Sequence, residues 1–172
     1  DFAESLVTAE WLFDSMKKAQ AIDLTIIGMG YFKAVEQLLF ELICLHKNEG
    51  RKIKRDYSRR DLPSTVELSD VNIEDKAIDT TIGSMAVFYR DNLDMLRNDL
   101  TWRTRKYILE TIFEFKDLRN GYFHKDNIHD WSKIETIRKS TFELLFLLMG
   151  ATALTEDNKD TLGFQRELVS DY

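Results

Sequence analysis

A single cysteine, Cys44, stands in the chain, so no internal disulfide can form. A reducing, cytoplasmic setting is the expectation. One proline and seven glycines leave too little punctuation for a many-stranded sandwich or barrel, and they favour long helices. No uninterrupted apolar stretch reaches the about 20 residues that a membrane-spanning helix needs. The richest run, 142–151, is short and is interrupted by Glu143. No signal peptide is visible. The first residue is Asp1 rather than Met, as in a piece of a longer protein. Histidine is scarce as well, confined to His46, His124 and His129. Cys44 and His46 are two apart and point in different directions on a helix. No grouping offers the three or four convergent ligands that zinc requires. Neither a metal nor another cofactor is expected.

The material that is present is globular: 44% hydrophobic against 31% charged residues. A length of 172 residues suits one domain with a substantial core. The formal net charge of -6 argues against strong nonspecific polyanion binding by the chain as a whole.

Apolar spacing predicts five helices. The first covers 2–19, with Leu6, Trp11, Leu12 and Met16. The second covers 23–47, where Ile26, Ile27, Tyr31, Phe32, Val35, Leu38, Leu39 and Leu42 follow helical steps before a stop at Gly50. Residues 51–72 read as a polar, strongly basic connection, long enough to suggest a functional role. Pro63 breaks any helix there, and Ser64 with Glu67 has the spacing to cap one short turn. The third helix covers 73–96 with Asn72 as its N-cap. The fourth runs from 101 to 121, and Ile108, Ile112, Phe115 and Arg119 form one stripe at steps of four, three and four. The fifth covers 131–154, with Ser132 and Glu135 at capping-box spacing. Between 142 and 151 it is apolar nearly all round, as in a central helix or one partly buried by a second subunit. The tail, 156–172, is polar. The expected fold is an all-α antiparallel bundle of about five main helices in a single domain over 1–172, with the long basic connection between the second and third.

Leu24-Thr25-Ile26-Ile27 before Gly28-Met29-Gly30 imitates the strand and glycine turn of a dinucleotide-binding unit. Lys33 occupies the third glycine position, and no alternation of strands and helices follows. The better reading is a pair of small residues that lets another helix or a ligand come close. Glu36, Glu41, Glu110 and Glu114 form possible carboxylate pairs, but on helices such residues are usually solvated or ion-paired, and no catalysis is assigned to them.

The informative stretch is Asp117-Leu118-Arg119-Asn120-Gly121-Tyr122-Phe123-His124-Lys125. A guanidinium on a core-facing stripe is costly unless it is paired or beside a wet cleft. Asn120 and His124 share a helix face, whereas Arg119 and His124 lie about 140° apart on an ideal helix. The last two converge only if the helix distorts near Gly121 or a second subunit completes the site. The plain alternative pairs Arg119 with a carboxylate such as Asp117 and leaves His124 merely ending the helix.

Arg119 and His124 with four residues between them, and polar Asn120 directly after the arginine, resemble the Arg–polar–spacer–His motif of HEPN domains. The segment Gly30-Tyr31-Phe32-Lys33-Ala34-Val35-Glu36-Gln37 is similar to an early HEPN helix, and Thr80-Thr81-Ile82-Gly83-Ser84-Met85 to a further family segment. The resemblance is strongest over 23–154. It implies a helical bundle, a homodimer, and a metal-independent endoribonuclease of the kind found in toxin–antitoxin or phage-defence systems. His124 would be the general acid and base, Arg119 would hold the phosphate, and Asn120 would orient the phosphate or the histidine. RNA would be the substrate, guided by Arg51, Lys52, Lys54, Arg55, Arg59, Arg60 and Lys125, with Arg103, Arg105 and Lys106 as further cations. A cognate antitoxin or an additional domain would be a further partner, with no membrane involved. Toxins of this family paired with a nucleotidyltransferase often carry a tyrosine two residues after the histidine; here that residue is Asp126, which departs from control by nucleotidylation. A non-catalytic RNA-, nucleotide- or protein-binding module of the same type, or a plain helical dimerisation domain, are the alternatives.

Overall fold

A computed structural model describes residues 1–19, 22–54, 65–71, 81–123 and 127–153. Five α-helices account for most of them: α1 (Phe2–Met16), α2 (Thr25–Cys44), α3 (Ile82–Asp91), α4 (Trp102–Phe123) and α5 (Trp131–Ala151). The core is drawn from all five, with Ile27, Leu39, Phe88, Ile112 and Leu144 each at most 2% exposed. The expected all-α bundle is therefore the fold. No helix among the described residues is long and apolar enough to cross a membrane.

Small residues set the helix spacing. A Cβ on Gly30 would stand 2.9 Å from the Ala9 Cβ, so α1 lies directly against α2. The pair is antiparallel: Ser5 Oγ donates to Gln37 Oε1 at 2.7 Å, and the Asp1 amino group lies 3.8 Å from Glu41. Gly28 faces the opposite way, where a Cβ would meet the side chains of Ile128 and Ile137 at 3.4 Å. The glycine pair is thus a two-sided packing device inside α2, and residues 25–30 are helical rather than a strand and turn.

Polar links fasten the helices at their flanks. Arg138 of α5 donates twice to the Glu10 carboxylate of α1 at 2.6 Å, and Tyr31 of α2 donates to the same group. The Arg138 guanidinium also lies over the Phe13 and Phe142 rings, at 5.1 and 5.0 Å. Tyr107 bonds Glu143, and Lys133 covers the Tyr122 ring, so α4 and α5 are antiparallel. Arg105 donates to the carbonyls of Leu93, Arg97 and Leu100, pinning the turn that leads into α4.

Several local expectations need correction. The basic connection is not wholly irregular: β1 (Lys52–Lys54) and β2 (Thr65–Glu67) pair antiparallel, with Ile53 opposite Val66. Buried Ile53 faces the bundle while its lysine neighbours do not, which is the period of a strand. The third helix starts at Ile82 in the described residues and is capped by Thr81, whose hydroxyl accepts from the Ser84 N–H. The proposed Asn72 cap lies outside the described residues, as do Pro63, Ser64 and the tail. α5 is capped by Asp130, which accepts from the Ser132 N–H, rather than by Ser132. Finally, α5 is not buried on every face. Leu144, Leu145, Leu148 and Ala151 point inward, whereas Phe146 is 66% exposed and Met149 is exposed as well.

Candidate functional site at the end of helix four

The last turns of α4 carry the candidate motif. Ile108, Ile112 and Phe115 are buried, and the next step along their stripe is Arg119. Its placement follows from helical spacing, and its cost is met by a partner on α2. Arg119 Nε lies 3.0 Å from Glu36 Oε1, with the two side chains 23% and 29% exposed. One turn earlier on each helix, the Phe32 and Phe115 rings meet edge-on with centroids 5.5 Å apart. The same step of four therefore carries an aromatic contact and then an ion pair between α2 and α4. Burial pushes the Glu36 carboxyl above its ordinary range, and the nearby Arg119 charge pulls it back only in part.

Asn120 sits beside this pair. Arg119 Nη1 donates to Asn120 Oδ1 at 3.3 Å, and Asn120 itself is exposed. Asp117 is not the partner of Arg119; it takes Lys116 at 2.9 Å instead. α4 remains α-helical through Gly121 to Phe123, and Gly121 is not among the glycines with positive φ. Up to Phe123 the helix therefore lacks the distortion at Gly121 that would turn Arg119 towards His124. His124 and Lys125 lie outside the described residues.

The expected RNA-guiding cations fare unevenly. Arg51 is committed to the fold: it bonds Glu49 at 2.7 Å, Asn92 at 2.8 Å, and Asp94 through two nitrogens at 2.9 and 3.1 Å. Its side chain is 17% exposed. Lys52 pairs with Glu67 across the ladder at 2.9 Å. Lys54 is half-buried. Arg105 is occupied by backbone carbonyls, and Lys106 pairs with Glu110 at 3.4 Å. Arg55, Arg59 and Arg60 lie outside the described residues. Position weakens the expectation too. Arg51 is bonded to Asp94, next to Leu93, whose carbonyl holds Arg105. Arg105 and Arg119 are separated by about 21 Å along α4, at about 1.5 Å per residue. Within one chain the hairpin base and the motif occupy opposite ends of that helix.

Two further titratable side chains of α2 and its C-terminal turn are buried or half-buried. His46 is buried and bonds Glu49 at 2.8 Å. Burial pushes the Cys44 thiol up to about 11. Among the described residues no three His, Cys, Asp or Glu side chains are grouped to hold a metal.

Glu36 is the residue that sequence reasoning undervalued. It follows Phe32 by four on an apolar helix, so it needed a cation as plainly as Arg119 needed an anion. Comparison with family models, with curated proteins and with solved structures finds no match to this chain.

Proposed function

We propose that this chain is a metal-independent endoribonuclease of the HEPN type, with Arg119, Asn120 and His124 as its working residues. The observation that carries the reading is the Glu36–Arg119 pair, because it joins the two segments on which the resemblance rests. It gives Arg119 a fixed direction before any substrate arrives, and preorganised charge is what stabilises a developing phosphorane.

The chemistry needs little else. RNA carries its own nucleophile. His124, neutral, accepts the proton of the 2′-hydroxyl as that oxygen attacks phosphorus. The bond to the 5′-oxygen breaks, and a protonated imidazole supplies the proton that this leaving oxygen takes. The products are a 2′,3′-cyclic phosphate and a 5′-hydroxyl. Arg119 binds the non-bridging oxygens through its planar guanidinium, and Asn120 orients the phosphate or the imidazole. Arg119 and His124 lie on different faces of an ideal helix, which favours a composite site in which two copies face each other. The exposed Phe146 and Met149 of α5 supply an apolar surface for such a homodimer. The wild type should then sediment as a dimer and Phe146→Glu as a monomer; a wild-type monomer at high concentration would count against the assembly. A cognate antitoxin or a further domain is the other partner consistent with this reading.

The same ion pair supports a second reading. Arg119 bound to Glu36 is also what a purely structural link between α2 and α4 would look like, in a HEPN-like binding module without turnover. RNA digestion in the presence of a chelator separates the two. The ribonuclease reading expects cleavage by the wild type and loss of about 10²–10⁴ in rate for His124→Ala, the usual contribution of a positioned acid or base. Arg119→Lys also loses activity, because an ammonium keeps the charge without the planar fork. Dependence on a divalent metal, or full activity in His124→Ala, defeats it.

A further inference from the structure

We draw no further inference here: the strongest candidate, the open cleft between α1 and α2 lined by Thr8, Leu12, Ile26 and Gly30, is a partly apolar, unpartnered face, and nothing in the structure shows what covers it.

Discussion

Replacing Arg119 with alanine strips Glu36 of its partner, and the consequence can be worked from the geometry. The pair is neither exposed nor fully buried, at 23% and 29% side-chain exposure. Exposed pairs contribute about 0–1 kcal/mol, whereas removing one partner of a buried pair costs about 3–5 kcal/mol. Roughly 2 kcal/mol is the corresponding expectation here. For a domain of this size that is a fall in Tm of roughly 4–8 °C. The penalty should also depend on pH. Burial already raises the Glu36 carboxyl, and Arg119 is what lowers it, so in Arg119→Ala the folded-state value climbs further above the unfolded one. A carboxyl raised in this way favours folding while it is protonated and opposes folding as pH rises through that value. The loss should therefore be largest near pH 7.5 and shrink towards about pH 5, nearer the ordinary glutamate range. Urea unfolding at both pH values, with Glu36→Gln and the double variant completing a cycle, measures this. The double variant should recover much of the stability lost in Arg119→Ala. Additive single effects, or a penalty independent of pH, would refute the pairing.

Gly30→Ala should destabilise by about 1–3 kcal/mol, the usual cost of overpacking. The added methyl meets the Ala9 Cβ at 2.9 Å, and a neighbour so close to its own backbone has little room to yield; a calorimetric Tm equal to wild type would contradict the close approach. Cys44, with its thiol pushed up to about 11 by burial, should react with a thiol-specific disulfide reagent far more slowly in the native protein than in denaturant, and equal rates would show that the thiol is not shielded.

The helices were legible because long periodic stretches leave a strong signal. α2, α4 and α5 follow their expected ranges to within a few residues, and the inward positions of α2 match its apolar steps except at Ile26, which is 58% exposed. The glycine pair was also readable as packing, because Lys33 excluded the alternative. What escaped had short-range or long-range causes. β1 and β2 are three residues each, and a single buried Ile53 sets no visible pattern. Asp130 and Ser132 are both good capping residues, and only the chain's entry into α5 decides between them. Glu49 is close to Arg51 in sequence, but Asp94, which ties it to the bundle, lies 43 residues away and Glu36 lies 83 from Arg119, so nothing local marked Arg51 as a structural tie or Glu36 as the anchor of Arg119. His124, on which the proposed chemistry turns, is legible from the motif alone and lies outside the described residues.

The claim that this chain cuts RNA through the 2′-hydroxyl, with His124 moving the proton, is tested most directly by the substrate's own chemistry. An oligoribonucleotide is mapped for its cleavage position in chelator, then resynthesised with one 2′-deoxy nucleotide immediately 5′ to that bond. The account predicts a 2′,3′-cyclic phosphate end on the first substrate, no cleavage at the substituted position on the second, and loss of most of the rate in His124→Ala on the first. Cutting that continues at the 2′-deoxy position, or a 3′-hydroxyl end on the product, would contradict it.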